Sequence, residues 1–136
     1  MTWSTRYLDI PEAECHCWEL ARRIYRGELG IVLPAYEGAL ASSEERAEVA
    51  ALVDGEMGRA RWQAVDSDDI RPFDVLVFRR GRLRSHIGIA IDRRHMIHML
   101  GRSHVERFVS PYWCPRLTGV YRHVKPPVEA TAGEAA

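Results

Sequence analysis

Two cysteines that flank a histidine, Cys15-His16-Cys17, are the first residues of the chain whose types and spacing could do chemistry. A cysteine can bind a metal, act as a nucleophile, or fill space in a core as a small apolar residue. A structural zinc site is disfavoured, because paired zinc thiolates are usually separated by about two to four residues. The odd cysteine count does not indicate a disulfide framework, so we expect free thiols at Cys15, Cys17 and Cys114.

A nucleophilic cysteine needs a histidine on a rigid neighbouring element and a third polar group that orients the imidazole. His86 precedes the apolar run Ile87–Ile91, and His98 lies inside a second apolar run, Met96–Leu100. A hairpin would set these two runs side by side as strands and place both rings on one face. His95 precedes His98 by three residues, so in a strand it would point to the opposite face. The residues alone leave a reactive thiol and a buried, inert thiol as open alternatives.

An amphipathic helix is the element that would position Cys17. Apolar side chains recur at helical spacing over Cys17–Leu29, and Gly30 provides a stop signal. The start of this helix is open. Residues 9–12 (DIPE) have the pattern of a capping box around a proline, which would put Cys17 in the middle of the helix. A loop over the same residues would instead start the helix near His16.

A second helix and a set of strands follow. Ser42–Glu45 predicts a helix start, and Asp54-Gly55 predicts its end after about Val53. Closely spaced strands without intervening helices indicate an antiparallel meander, and helices followed by a sheet indicate the α+β class. Six short runs between turn-forming residues are the predicted strands: Trp62–Val65, Val75–Phe78, Ile87–Ile91, Met96–Leu100, Val105–Val109 and Gly119–His123.

The composition indicates one globular domain. With 136 residues, the chain is long enough for a single core, which we expect over residues 1–125, with a disordered tail over residues 126–136. The formal net charge of zero disfavours a nucleic-acid-binding function, and the arginine-rich residues 79–84 are expected to form a solvated turn. The sequence contains neither a secretory signal nor an apolar run of membrane-spanning length, so we expect synthesis in the cytoplasm and no membrane span.

Six short motifs occur in order along nearly the whole chain: residues 17–22 (CWELAR), 30–34 (GIVLP), 71–78 (RPFDVLVF), 85–89 (SHIGI), 96–98 (MIH) and 121–122 (YR). Together they resemble the motifs of NlpC-type cell-wall cysteine peptidases, and the match is best to the short phage-tail branch of that family. The first two motifs resemble the segment that carries the catalytic cysteine of the family.

The resemblance implies a papain-like α+β fold in which N-terminal helices pack on an antiparallel sheet. It implies that Cys17 heads a helix and is the nucleophile, activated by the helix N-terminus and by His86. His86 would be the general base, and His98 would orient its ring. Trp3 and Trp113 are candidate partner contacts if they are exposed.

The implied reaction is hydrolysis of amide bonds in peptidoglycan stem peptides, which opens the cell wall. We expect no cofactor and no metal. The expected partners, besides the stem peptide, are other phage tail-tip proteins, and the expected location is the tail of a virion or a tail-like particle after synthesis in the host cytoplasm. The alternative is a catalytically weak or inactive structural component of the tail tip that uses the same fold for docking.

Three positions depart from the pattern of the family. His16 stands where relatives usually have Asp, and we expect it to be exposed. Glu12 stands where many relatives have an aromatic residue that helps the oxyanion site, and a carboxylate there would oppose catalysis. Tyr7 is a candidate substitute, and the backbone N–H of Cys17 is a candidate oxyanion donor. Phe73 replaces a glycine, so that turn is expected to differ.

Overall fold

The computed structural model describes residues 3–36 and 46–124. Within those ranges it contains two α-helices and one six-stranded antiparallel sheet, which confirms the α+β class. The predicted helix start at Ser42–Glu45 and the predicted tail lie outside the described residues. The elements are α1 (Cys17–Ile24), α2 (Arg46–Met57), β1 (Trp62–Ala64), β2 (Val75–Arg80), β3 (Leu83–Ala90), β4 (His95–Leu100), β5 (Arg102–Arg107) and β6 (Leu117–His123).

The helix α1 begins at Cys17, so the later of the two possible starts is correct. His16 has an extended backbone (φ −76°, ψ 179°), and its carbonyl accepts the first helical hydrogen bond from Leu20 N–H at 3.0 Å. The α-helix passes into one π-type turn, Tyr25–Leu29. Gly30, at φ 69°, then ends it as the sequence predicts.

The helix α2 is longer than the sequence predicts. The expected end at Asp54-Gly55 is wrong, because the helix continues to Met57. Val49, Val53 and Met57 are buried at helical spacing in the core. Their burial outweighs the cost of one helical glycine, about 1 kcal/mol. Of the helices described, none has the length and apolar character needed to cross a membrane.

The sheet has the strand order β1-β6-β2-β3-β4-β5. The strands β2 to β5 form the predicted antiparallel meander. The meander does not extend over the whole sheet, because β6 pairs with both β1 and β2 and so lies between them. The last strand thus covers an edge of β2 that a simple meander would leave unpaired.

Both faces of the sheet are covered by apolar side chains. Alternate residues of the central strands pack in the same core as α1 and α2: Val75, Val77, Ile87, Ile89, Ile97 and Met99. The residues between them form a second core on the other face, with Phe108 and Trp113: Leu76, Phe78, Ala90 and Met96. By the same alternation, the side chains of His86 and His98 belong to the second face, whereas Cys17 approaches β3 from the first face, at Ile87, beyond the end of the β3–β4 ladder.

A buried ion pair joins two of the motif segments. Asp74 is 1% exposed and accepts hydrogen bonds from Arg122 Nε at 2.9 Å and Nη2 at 2.8 Å. Its carboxylate also accepts one from the backbone N–H of Arg71 at 2.9 Å. The bonds to Asp74 raise the pKa of Arg122. Removing one partner of such a pair costs about 3–5 kcal/mol, so the pair holds β6 against the start of β2.

The turn before β2 keeps a backbone conformation that favours glycine. Phe73 has φ 77° in spite of its bulky side chain. The Trp3 ring stacks on it with 4.6 Å between centroids, and the Tyr25 hydroxyl donates to its carbonyl at 2.5 Å. Phe73 therefore occupies a backbone conformation that is strained for a residue with a side chain. The contacts from Trp3 and Tyr25 offset that strain.

The segment before α1 is tied to the β4–β5 turn. Asp9 N–H donates to the Ser103 carbonyl, Ser103 N–H donates to the Ile10 carbonyl, and Glu12 N–H donates to the Gly101 carbonyl, each at 2.9 Å. These bonds hold residues 9–12 beside the sheet as a loop, in which Asp9 has a positive φ (63°) and Pro11 forms an isolated antiparallel bridge with Arg102. They also bring Glu12 close to the start of α1.

Candidate active site

Cys17 is the first residue of α1, and its sulfur lies against β3. The Sγ atom accepts a hydrogen bond from the backbone N–H of Ile87, the residue after His86. This N–H lies outside the β3–β4 ladder, which pairs only Gly88–Ala90 with Met96–His98. The sulfur therefore sits where the two strands separate, next to the main chain of the predicted general base.

The Cys17 thiol is neutral in this environment. Burial raises its pKa to about 11, and the charge of Glu12 adds to the rise. Hydrogen bonds from the Ile87, Trp18 and Cys17 N–H groups lower the pKa but do not compensate. The hydrogen bonds at the helix N-terminus therefore lower the pKa of Cys17 by less than burial raises it. A reaction that used this sulfur as its nucleophile would have to remove the proton during the attack rather than before it.

His86 and His98 meet on one face of the sheet, as the sequence predicts. The His86 Nε2 and His98 Nδ1 atoms are 2.8 Å apart, and the two residues are 3% and 1% exposed. Burial lowers the pKa of His86 to about 3, and the neighbouring His98 adds to the effect. Burial also lowers the pKa of His98 to about 4, although Glu106 opposes the shift. Both rings are therefore neutral near pH 7.

Glu106, on the next strand, determines which ring nitrogens carry protons. Its Oε1 lies 2.8 Å from His98 Nε2, and Trp113 Nε1–H donates to its Oε2 at 2.9 Å. Burial raises the pKa of Glu106, but the bonds from Trp113 and His98 lower it by more, so the carboxylate is charged and can only accept.

The proton positions on the two rings follow from that acceptor. The His98 Nε2 atom must carry the proton that it donates to Glu106. The His98 Nδ1 atom then accepts from His86 Nε2–H, since a neutral imidazole has one donor and one acceptor. The His86 Nδ1 atom is left with a free lone pair. This is the tautomer that a general base requires.

Trp113 belongs to this cluster and is not a surface residue. It is only 3% exposed, so the condition under which it would be a candidate partner contact is not met. Its ring stacks on His86 with 5.4 Å between centroids and meets His98 edge-on at 5.3 Å. It therefore restricts the orientation of both imidazoles.

Neither Glu106 nor Trp113 was a candidate site residue from the sequence. The available signal for Glu106 was the alternation His104-Val105-Glu106 at the start of the predicted strand Val105–Val109, because a strand extended by one residue puts the two polar side chains on one face. Only the register of β5, with His104 opposite His98, shows that this face is the one that carries the imidazoles.

The oxyanion side of the site has a different character. The Glu12 carboxylate accepts a hydrogen bond from Gly101 N–H at 2.9 Å, which ties it to the β4–β5 turn. Tyr7 does not substitute for the missing aromatic residue, because its hydroxyl donates to Glu28 Oε2 at 2.8 Å. The donors that the fold provides beside the sulfur are the first-turn amides of α1, including Cys17 N–H, which have no partner within the helix.

His16 is half-buried, so the expectation that it is exposed is wrong. Burial lowers its pKa, although Glu19 and Glu12 oppose the shift, and the ring is neutral. Among the described residues, its buried Nδ1 has no hydrogen-bond partner. An unsatisfied polar nitrogen therefore lies one residue before the sulfur.

The other two cysteines do not join the site. Cys15 is 1% exposed in the core that contains α1, and burial raises the pKa of its thiol. Cys114 is exposed. All three thiols are free, as expected. In the part of the chain that the structure describes, the group of side chains that could share a metal ion contains no cysteine.

A model of the NlpC/P60 family matches residues 5–122, which is most of the chain and includes Cys17, His86 and His98. The chain belongs to the NlpC/P60 family. Members of this family are generally cell-wall peptidases, and typically cysteine peptidases. The order of motifs along this NlpC/P60 domain therefore reflects family membership.

The fold is similar to that of a solved NLP/P60-family lipoprotein from Staphylococcus aureus subsp. aureus Mu50, with a TM-score of 0.61 and 16% sequence identity. The match covers 90% of this chain and 39% of that chain, so this NlpC/P60 domain spans well under half of the lipoprotein. At this identity, the likeness shows the fold alone. A comparison with curated proteins finds no match.

Proposed function

We propose that this NlpC/P60 domain is a cysteine peptidase that hydrolyses amide bonds in the stem peptides of peptidoglycan. Cys17 is the nucleophile, His86 the general base and His98 the residue that orients His86. One observation carries the proposal: the hydrogen-bonded series Glu106–His98–His86, beside the Ile87 amide that binds the Cys17 sulfur.

In the first half of the reaction, the Cys17 sulfur attacks the carbonyl carbon of the scissile amide while its proton passes to His86 Nδ1. The developing oxyanion is stabilised by the Cys17 N–H at the start of α1. His86 then gives the proton to the leaving amine, the carbon–nitrogen bond breaks, and an acyl-enzyme thioester remains.

In the second half, His86 takes a proton from water, and the resulting hydroxide attacks the thioester carbon. The carbon–sulfur bond breaks, the product leaves as a carboxylic acid, and the proton returns to the sulfur. Throughout, Glu106 accepts a hydrogen bond from His98 Nε2–H and so keeps the proton of His98 on Nε2. The His98 Nδ1 atom can then only accept, which keeps the proton of His86 on its Nε2 atom. No cofactor is needed for these steps.

The decisive experiment measures fragments released from purified cell wall by mass spectrometry. We expect the Cys17→Ala variant to release none above background, because the nucleophile is absent. The matched control is Cys114→Ala, which removes an exposed thiol outside the site and should release as much as the unmodified chain. Undiminished release by Cys17→Ala would refute the assignment.

We further propose that the domain acts in the tail of a phage or a tail-like particle, with other tail-tip proteins as partners, after synthesis in the host cytoplasm. The support is the resemblance of residues 17–22, 30–34 and 85–89 to the phage-tail branch. An antibody against the chain should label the tail end of purified particles. Particles that lack the chain would contradict this location.

A second candidate function is a structural tail component with little or no hydrolytic activity. Two observations favour it: the raised pKa of Cys17, which results from burial and then from Glu12, and the absence of the expected aromatic residue at position 12. In that case, particles carrying Cys17→Ala would assemble and infect normally. Normal assembly with lost infectivity would support the peptidase instead.

A further inference from the structure

We propose that His98, His104 and Glu106 form a binding site for a transition-metal dication of the zinc class, and that the bound ion switches the imidazole pair off. The binding is independent of the proposed function, whereas the effect on hydrolysis rests on it. The three residues lie on one face of β4 and β5, where His98 and His104 are direct partners.

The ligand atoms are already close together. The Glu106 Oε1 atom is 2.8 Å from His98 Nε2 and 3.4 Å from His104 Nε2, and all three atoms lie within 4.8 Å of one another. Tetrahedral zinc holds nitrogen and oxygen ligands about 2.0–2.2 Å from the ion, and hence roughly 3.4 Å from one another. Small side-chain movements would bring all three into that geometry. Two imidazoles with one carboxylate are also a donor set that zinc prefers.

Outer hydrogen bonds orient each of the three ligands. His104 Nδ1 lies 3.0 Å from the Arg102 carbonyl, Trp113 Nε1–H donates to the second Glu106 oxygen, and His98 Nδ1 pairs with His86. Such outer partners characterise built metal sites, because they fix the tautomer and the direction of the ligand.

His104 directs a second imidazole nitrogen at the same carboxylate oxygen as His98. Its Nδ1 atom lies 3.0 Å from the Arg102 carbonyl, and its Nε2 atom lies 3.4 Å from Glu106 Oε1. The His98 Nε2 atom approaches that oxygen as well. The three donor atoms therefore converge on one point, as a shared cation requires.

The site is accessible from one side only. The side chains of His104 and Glu106 are 41% and 38% exposed, whereas that of His98 is fully buried.

The positive charge of Arg80 acts on both His86 and His98 and opposes a dication. We therefore expect that Arg80→Gln tightens zinc binding.

Bound zinc would reverse the tautomers of the catalytic pair. The ion takes the lone pair of His98 Nε2, so the proton of that ring must sit on Nδ1. The His98 Nδ1–H then donates to His86 Nε2, and the proton of His86 moves to its Nδ1. Each ring keeps one proton, and nothing is oxidised or reduced. The His86 Nδ1 atom can no longer accept the thiol proton, so zinc blocks the first step.

Binding is measured by calorimetry with zinc chloride on the full chain carrying Cys17→Ala, which removes the nearby thiol as a competing ligand. We expect one equivalent to bind. Adding His104→Ala should weaken zinc binding at least about 100-fold. Loss of a residue that only hydrogen-bonds to a ligand costs about 10- to 100-fold, so this loss would mark His104 as a ligand. His95→Ala, on an exposed histidine of β4 paired with Asp92, is the matched control and should not change it. Unchanged zinc binding after His104→Ala would overturn the proposal.

Nitrogen-15 spectra of the imidazoles test the switch without any activity assay. In the Cys17→Ala chain, zinc should move the proton of His86 from Nε2 to Nδ1, so that the two nitrogen signals of this ring change places. Unchanged His86 nitrogens in the zinc-bound protein would refute the switch.

Wall hydrolysis is then compared with and without zinc, as a ratio for each variant. The unmodified chain should be inhibited, and His104→Ala should resist the same zinc concentration. Equal inhibition of both would locate the effect at the Cys17 sulfur and overturn the switch. If neither chain hydrolyses wall even without zinc, the proposed function fails, while calorimetry and spectra still decide on the metal site.

Discussion

The two sides of the candidate site are built differently. On the base side, His86, His98, Glu106 and Trp113 are joined by hydrogen bonds of 2.8–2.9 Å and by ring contacts. On the thiol side, burial raises the pKa of Cys17, and among the described residues His16 Nδ1 has no partner. The fold therefore fixes the tautomers of the imidazole pair. It leaves Cys17, the proposed nucleophile, as a neutral thiol, and it leaves one polar nitrogen beside the thiol without a partner.

Removing the base should have the largest effect. His86→Asn keeps a polar side chain but no proton acceptor in the position of Nδ1, so we expect kcat/KM for wall-fragment release to fall about 1,000-fold. His95→Ala is the control, because that exposed histidine pairs with Asp92 outside the site. Activity within about tenfold of the unmodified chain, with an unchanged melting temperature, would show that the ordered base side is only structural.

The second largest expected effect concerns the protonation state of the Cys17 thiol compared with that of a free cysteine. With a pKa of about 11, set mainly by burial, Cys17 becomes a thiolate only above that pH. Near neutral pH, its thiolate fraction should be about 300-fold smaller than that of a free cysteine. The measurement is the ultraviolet absorbance of thiolates during a pH titration. The curve of the Cys17→Ala variant is subtracted from that of the unmodified chain, which leaves the titration of Cys17. A difference midpoint below about pH 8 would contradict the neutral thiol.

Glu106→Gln tests whether the base side acts through its tautomer. Trp113 Nε1–H needs an acceptor, so the new amide oxygen should turn toward it and leave the NH₂ group facing His98. That reverses both imidazoles, and we expect kcat to fall about 100-fold with little change in KM.

The matched control for Glu106→Gln is Glu14→Gln, on an exposed carboxylate before α1. Adding Trp113→Phe to Glu106→Gln frees the amide to turn and should restore about tenfold of the lost kcat. If the double variant Glu106→Gln, Trp113→Phe has a lower kcat than Glu106→Gln alone, Glu106 acts through packing and not through the tautomers.

The smallest effect is expected on the thiol side. Glu12→Gln keeps an acceptor for Gly101 N–H but removes a charge that, after burial, contributes to the raised pKa of Cys17. A fall of about 0.5 in this pKa would raise the thiolate fraction near neutral pH about threefold, and activity by a smaller factor, because His86 takes the thiol proton during the attack. The Glu14→Gln variant again serves as the control. A decrease on Glu12→Gln would mean that the carboxylate assists catalysis.

Local patterns were sufficient for much of the fold. The apolar periodicity after Cys17, the stop at Gly30 and the alternating strands predicted the elements near their observed positions. The same patterns placed the end of α2 too early, because a glycine signal is worth about 1 kcal/mol and the burial of Met57 is worth more. They also missed β6 between β1 and β2, since strand pairing depends on contacts between distant segments.

By itself, the sequence determined which residues could react and in what order they occur: a cysteine either at the start of a helix or inside it, and two histidines in apolar runs that a hairpin would pair. Only the tertiary structure decided that Glu106 sets the tautomers, that Trp113 is buried against both rings, and that the thiol is neutral. The physical reason is that register and burial are properties of the whole sheet. A pKa depends on lost solvation and on charges brought close by folding, and neither can be read from the neighbours of a residue in the chain.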